Sequence, residues 1–535
     1  MKVEDMRNSI RLKSEIVIED MIDWLAQGFS LSGSVSWGKD SLAVTILMIE
    51  AIKRAKERGM AIADCTLVSA NTGTENPEMD YYCELMASAM AAYCQEHDLP
   101  ITYHVASPDI TASFHYRHIG RGFLFRYPGM TRDCTVDWKI NPMSKVKKRL
   151  LANNKATQLT LIGTRFAESE TRNKEMQGRG EQPSEVMFGT LGEHYATPIA
   201  DWNVEDVWCL IMYCDQRDGK AIYHSFKPHF DETLTLYREA NGGECVAVLG
   251  DKNLSQAACG ARFGCWSCMP SGTKDKSLTA MVEQGNQHLK HILALRDWMF
   301  AVRWDYGARQ LIGKSINPKE PIKLAPNEFR LSMRKKMLGF MLTIDVIERE
   351  RAAREGVTPR FQLLTPSQLI TIDYLWMLDA DETKGFSALT EYHNVVHLGA
   401  RHFPSSDDLT ATPKEPFTVK WFYDERLALL DEPVREITPS KFFSRALFTV
   451  DDDKCKTILA RDLPAFIGSA TPHDAVCFYL HSGVIKTRKS HYDFVNSQLN
   501  KQAMWSRYSA LVGCSDIHSY AHYHSTIEKP SPLNN

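Results

Sequence analysis

Four cysteines, Cys245, Cys259, Cys265 and Cys268, are separated by thirteen, five and two residues. Thiolates this close in sequence can converge on one soft metal centre. The last pair, CWSC, has the spacing of a zinc knuckle, although zinc ribbons use two such pairs. Two singly placed cysteines suit a cubane, whose corners are reached from different directions. Spacing alone leaves zinc and iron–sulfur equally open. Cys134 is a separate thiol: Arg132 and Lys139 nearby in sequence would stabilise a reactive thiolate, and a buried structural cysteine is equally open.

A second chemical signal lies far upstream, in SWGKDS at positions 36–41. Gly38 would let the backbone approach an oxyanion, and the amides that follow would point at it from a helix N-terminus. Lys39 adds charge, Ser36 and Ser41 add hydroxyl donors, and Asp40 could cap the helix or orient a metal ion. The string is not the GxxxxGK[ST] loop of motor-type NTPases.

Three further stretches carry charge that such a loop could use. NTGTENPE supplies Asn71, Thr72 and Glu75, the last a ligand for Mg2+ or a ribose. HIGRGFLFRYPGMTRDCTVDWKINP (118–142) reads as a glycine-rich loop bringing His118, Arg121, Arg126, Arg132, Cys134 and Lys139, with arginines suited to phosphate or sulfate. GTRFAESETR supplies Gly163, Arg165, Glu168 and Arg172. Arg165, Glu168 and Arg172 could equally form a salt-bridge ladder on an exposed helix. Their place directly after a strand favours the pocket.

The elements that must position these residues alternate. Apolar spacing predicts a helix over 12–29, with Ile16, Ile18, Met21, Ile22, Trp24 and Leu25 in its stripe. A strand at 31–36 leads through the loop into a helix. Strands follow at 64–71, 101–107 and 157–165, with a helix at 78–97 between the first two. This order predicts an α/β fold, a Rossmann-like parallel sheet with helices on both faces. Ligands of such sheets bind beyond the carboxyl ends of the strands, where the charged strings lie. From 276 onward the texture turns helical, including PNEFRLSMRKKMLGFMLTIDVIERE. We therefore divide the chain into a nucleotide-binding domain with the cysteine cluster (1–275), a helical region (276–404) and a C-terminal region (405–535). SSDDLTATPKEP (405–416) reads as a linker.

The net charge of −3 gives no global field for nucleic acid, so any polyanion must meet a local patch or a partner protein. RLSMRKKM (330–337) is one such patch, though a solvated helix face is the more usual role of such a run. No apolar run reaches the ~20 residues of a membrane span, and no signal-peptide cleavage site is visible. Thirteen cysteines in a large chain of this kind point to a reducing compartment, the cytoplasm.

The loop resembles the SGGKDS loop of the adenine-nucleotide alpha-hydrolase (PP-loop) superfamily, whose members split ATP between the alpha and beta phosphates. The ordered series SWGKDS, NTGTENPE, RDCTVDWKINP, GTRFAESETR, IADWNVEDVW and CGARFGCWSC resembles DndC-type DNA phosphorothioation proteins within the PAPS-reductase-like family. Trp37 stands where a glycine is usual, Asn71 where an aspartate is usual, and Asp133 where an aromatic commonly precedes the cysteine. Trp37 is bulkier and conformationally narrower, and Asn71 removes a charge that could hold Mg2+.

The resemblance implies an ATP-dependent sulfur-transfer enzyme of the DNA backbone, using ATP and Mg2+. It also implies a [4Fe–4S] cluster on Cys245, Cys259, Cys265 and Cys268, where zinc is the alternative. Lys39, Asp40, Arg132, Cys134 and Arg165 would be catalytic. Ser36, Gly38, Lys39, Asp40, Ser41, Asn71, Thr72, Glu75, Gly163, Arg165, Glu168 and Arg172 would bind the nucleotide. Partners would be DNA, a cysteine desulfurase and other phosphorothioation proteins. A sulfonucleotide (PAPS/APS) reductase and a non-catalytic nucleotide sensor in a defence complex are the alternatives.

Overall fold

The computed structural model describes residues 3–128, 134–153, 156–189, 192–242, 263–272, 274–302, 305–312, 322–379, 382–405, 421–422 and 448–487. Arg132, Asp133, Cys245, Cys259 and all of the 405–416 linker except Ser405 lie outside the described residues. Contacts group the chain into two compact units. The first comprises Met1–Pro108, Asp133–Trp266 and Asp275–Leu289; the second comprises Asp109–Arg132, Ser267–Lys274 and Lys290–Asn535.

The first unit alternates strands and helices. In order it contains α1 (Val3–Ala26), β1 (Phe29–Ser34), α2 (Lys39–Glu57), β2 (Cys65–Ala70), α3 (Pro77–Glu96) and β3 (Ile101–Ala106). These are followed by α4 (Asn141–Asn153), β4 (Thr157–Ile162), α5 (Glu170–Gly178), β5 (Met187–Phe188), β6 (His194–Ala196), α6 (Val204–Tyr213), α7 (Asp231–Ala240) and α8 (Lys276–Glu283). The six strands form one sheet in the order β3-β2-β1-β4-β6-β5. Every pairing is parallel except that of β5 with β6. This is the expected Rossmann-like sheet. The chain runs outward from β1 through β2 to β3 and then returns to β4 on the other side of β1. The crevice at the β1/β4 carboxyl ends is therefore the topological switch point, where doubly wound sheets bind ligands.

Period-2 alternation gives β1 two different faces. Gly33 lies so close to Leu67 and Met48 that a Cβ there would stand 2.5 Å from Leu67 Cδ2. The opposite face is polar: Thr66 Oγ1 donates to Ser32 Oγ at 2.9 Å, and Lys147 Nζ of α4 donates to Ser34 and Thr160 at 3.4 Å. Burial lowers the pKa of Lys147. In α1, Ile18, Met21, Ile22, Trp24 and Leu25 are buried as the stripe predicts, but Ile16 is 55% exposed. Asn76 starts α3 by accepting from the Glu78 amide, with Pro77 in the first turn.

The stretch 118–142 is not one loop. It contains π-helical turns at His115–Gly120 and Thr135–Ile140, the second running into α4. Its first part belongs to the second unit, where His118 is buried, donates from Nδ1 to Phe123 O at 2.7 Å, and packs against Phe114 and Phe125. Burial pushes its pKa down to about 3, so it stays neutral.

The second unit is mainly helical. It contains α9 (Lys290–Ala301), β7 (Arg309–Ile312), β8 (Ile322–Phe329), α10 (Leu331–Glu355), α11 (Pro366–Met377), α12 (Ser387–Val396), β9 (Trp421–Phe422) and β10 (Phe448–Val450). α13 (Asp452–Leu459), α14 (Leu463–Ile467), α15 (Pro472–His481) and β11 (Ile485–Thr487) complete the described part. PNEF, expected in a helix, is the end of β8, and the helix begins after it. The 330–337 patch is partly consumed inside the unit. Arg334 is 2% exposed and bonds Asp379 and Gly120 O, while Lys335 pairs with Glu382 at 2.7 Å. No helix among the described residues is long and apolar enough to cross a membrane.

Candidate nucleotide site

A cleft of about 1030 Å³ opens in the first unit, walled by the loop after β1, the turn after β2, one face of α3, and Arg165 after β4. The loop is braced from within. Ser36 N donates to Ser41 Oγ at 3.2 Å, and Ser41 Oγ donates to Gly38 O at 3.0 Å. Ser41 thus closes the loop and is not among the residues lining the cleft. Gly38 is the N-cap of α2 and offers no side chain to satisfy the first-turn amides. Its φ of −66° is ordinary. The left-handed residue is Trp37, at φ 56°.

That angle explains why glycine suits position 37 and how tryptophan is tolerated there. Left-handed backbone costs a non-glycine residue roughly 1–2 kcal/mol. Here the indole is wholly buried, its Nε1 donates to Tyr103 Oη at 3.1 Å, and its ring meets Tyr103 and Phe226. The bulk of the indole is taken up by this packing.

Asp40 does not cap α2; it lines the cleft with both oxygens engaged. Lys39 Nζ holds one of its oxygens at 2.9 Å and Arg165 Nε the other at 2.6 Å. Arg165 is 3% exposed and also donates to Trp202 O. Gly163 makes this approach possible, since a Cβ there would sit 2.9 Å from the Asp40 backbone and 3.0 Å from Ser41 N. Glu168 lines the cleft, whereas Arg172 is spent on an i,i+4 ion pair with it and does not line the cleft.

The turn after β2 is arranged differently. Asn71 Nδ2 donates to Asp80 Oδ1 at 3.0 Å, so α3 supplies a carboxylate beside the position that lacks one. Burial, then Glu84 and Glu75, push the Asp80 pKa up to about 6. Thr72 Oγ1 donates to Glu75 Oε1 at 3.0 Å and lies 3.4 Å from Cys265 Sγ. A β-bridge joins Glu75 to Cys265, and Trp266 N donates to Thr74 O at 3.0 Å. Lys139 Nζ is 3.7 Å from Glu75. Burial opposes the charge of Lys139, but Glu75, Cys265 and Cys134 outweigh it and raise its pKa. None of His118, Arg121 and Arg126 lines the cleft.

The cysteine run thus reaches the turn after β2 at Cys265, beside Glu75 of the cleft wall. As a free thiol it is pushed up to about 12 by burial and by Glu75. A metal ion would have to displace that proton. The described residues supply two of the four thiols, Cys265 and Cys268, and include no cluster of three metal-ligating side chains. Several cleft residues belong to no motif in the sequence, among them Asp80, Glu84, Tyr103 and Tyr237. The spacing of Asp80, Cys83, Glu84 and Ala87 is the one available signal, a single face of a helix entering from the polar turn.

A comparison with curated proteins finds no match. Two crystal structures of Candida glabrata FMN adenylyltransferase are similar at 11% identity and TM-score 0.24, one with FAD and inorganic pyrophosphate, the other with FMN and the ATP analogue AMPCPP. The alignments cover 39% and 40% of this chain and 65% of each of those, so the chain spans less than two thirds of their length. Residues 30–236, from β1 into α7, match the phosphoadenosine phosphosulfate reductase domain.

Proposed function

We propose that the cleft binds Mg–ATP and that the protein is an ATP-dependent sulfur-transfer enzyme of DNA backbone phosphorothioation. The observation that carries the nucleotide reading is the N-terminus of α2, with no capping side chain at Gly38, opening into a cleft at the switch point of the sheet, flanked by Lys39 and Arg165. In the proposed reaction a non-bridging DNA phosphate oxygen attacks the alpha phosphorus of ATP. The bond to the beta-phosphate oxygen breaks, and pyrophosphate leaves with its electron pair. A persulfide sulfur then adds to the activated DNA phosphorus and AMP departs; a second thiol attacks the carrier sulfur, breaking the S–S bond so that the phosphorothioate leaves and a disulfide remains.

Lys39, Arg165 and the α2 amides would steady the charge that develops on the phosphates, and Glu75 would meet the Mg2+. Arg132 and Cys134 would act on the acceptor. A [4Fe–4S] cluster on Cys245, Cys259, Cys265 and Cys268, or zinc on the same thiols, would hold or relay sulfur supplied by a cysteine desulfurase. DNA would engage a local patch or a partner protein, and the setting would be the cytoplasm. The test is expression with neighbouring phosphorothioation proteins, followed by mass spectrometry of nuclease-digested DNA. Phosphorothioate dinucleotides should appear with the native chain and vanish with Lys39→Ala; their absence from both refutes the reading.

The domain match favours one second reading, reduction of a nucleotide sulfate. That reaction requires a redox cysteine reaching the sulfate, and it predicts sulfite release from PAPS in the presence of thioredoxin.

A further inference from the structure

A basic strip leads away from the cleft on one continuous helical segment. The π-helical turn Thr135–Ile140 passes directly into α4, and together they carry five basic residues and one acid, Asp137, in a chain of net charge −3. Lys139, at the start of the strip, lines the cleft. Lys147 turns inward to Ser34 and Thr160 and fastens α4 to the sheet. Ser144, Lys145, Lys148 and Arg149 are exposed, and their spacing of three and four places them on one face.

Lys148 and Arg149 have no hydrogen-bond or ion-pair partner among the described residues. α4 lies against β2 and β3, and neither strand carries an acidic side chain. Arg149 instead faces His104 of β3, whose pKa is lowered by burial and then by this guanidinium. Exposed cations on other elements of the unit are matched: Arg58 by Glu19, Lys174 by Glu170 and Arg217 by Asp231. The run at 330–337 likewise spends Arg334 on Asp379 and Lys335 on Glu382. Like charges three and four apart destabilise a helix. A polyanion bound along this face would remove that repulsion.

We propose that the outer face of α4, through Lys148 and Arg149, holds the phosphate backbone of duplex DNA and lays it beside the cleft. The choice of DNA rests on the function proposed above. Such contacts position a duplex without reading its bases. The chemistry needs a backbone phosphate brought to the nucleotide, and Lys139 joins the strip to the cleft.

The test is fluorescence anisotropy of a labelled mixed-sequence duplex over a range of salt. The full native chain is compared with Lys148→Ala/Arg149→Ala and with a control, Arg11→Ala/Lys220→Ala, which removes two exposed cations from other elements. Thermal unfolding confirms that all three fold alike. The α4 variant should bind about tenfold or more weakly. Its slope of log affinity against log salt should be shallower by about 2, as for two lost phosphate contacts. The control should match the native chain. Native affinity in the α4 variant, or an equal loss in the control, overturns the inference. So does tighter binding of an RNA duplex of the same length, or no DNA binding by the native chain. The phosphorothioate assay separates the two readings. DNA binding that depends on α4 without phosphorothioates defeats the proposed function alone; phosphorothioates with binding independent of α4 defeat this inference alone.

Discussion

The two turns that border the cleft are built on opposite plans. After β1, the side chains face inward: Ser36 and Ser41 close the loop, and Lys39 and Arg165 share Asp40. Trp37 anchors the same loop in the core. After β2, the turn gathers an acid, an amine and thiols whose pKa values are raised. Asp80 and Cys83 are pushed up to about 6 and about 12, mainly by burial, and Lys139, Glu75 and Cys265 crowd together. A braced turn suits fixed recognition of phosphate. A turn with closely spaced acid, amine and thiol suits proton and sulfur movement. The proposed chemistry divides between them in that way.

Removing Arg165 should break the braced side most severely. Arg165→Ala leaves Asp40 with Lys39 alone and opens a buried site. We expect a loss of about 2–4 kcal/mol of stability and roughly a hundredfold or more in nucleotide turnover. Denaturant unfolding and pyrophosphate release measure the two. Full activity in this variant would mean that the brace has no part in recognition.

Trp37→Gly sets two terms against each other. The buried indole is worth about 3–5 kcal/mol, and glycine returns roughly 1–2 kcal/mol of left-handed strain. A net loss of about 2–3 kcal/mol is the expected result from urea unfolding. A variant at least as stable as the native chain would show that the tryptophan is not the anchor of the loop.

The smallest effect belongs to the other turn. The folded pKa of Asp80, about 6, lies above its unfolded value, so the folded state keeps a proton that the unfolded chain releases. Stability should therefore fall as pH rises from about 4 to about 6. Asp80→Asn can still accept from Asn71 and carries no charge. It should be about 1–2 kcal/mol more stable than the native chain above pH 6 and no more stable at pH 4. Melting curves across this range decide the point; parallel pH profiles would remove burial as the cause.

The sheet was legible because its signals are local. Strand periodicity bounded by polar turns located β1 to β4 within a few residues, and the SWGKDS string gave the loop its place at the end of β1. The stretch 118–142 was not legible as one piece, since its glycines and arginines suggest a loop while its backbone winds into π-helical turns and α4. β8 was obscured by its direct junction with a long helix. At the site, sequence order favoured neighbours, so Glu168–Arg172 was foreseen as a possible ladder. The union of Asp40 with Arg165, which are 125 positions apart, required the fold. Asn71 reads as a lost charge until Asp80 is seen beside it. Tyr237 carries no motif, and only the return of α7 over the loop reveals it.

The central claim is that the loop after β1 is the working end of an ATP-cleaving site. It is tested most directly by incubating the full chain with Mg–ATP, duplex DNA, a persulfide sulfur donor and a thiol, and identifying the products. The account predicts AMP and pyrophosphate in equal amounts, lost with Lys39→Ala. Release of ADP and phosphate, or AMP formation that survives Lys39→Ala, would contradict it.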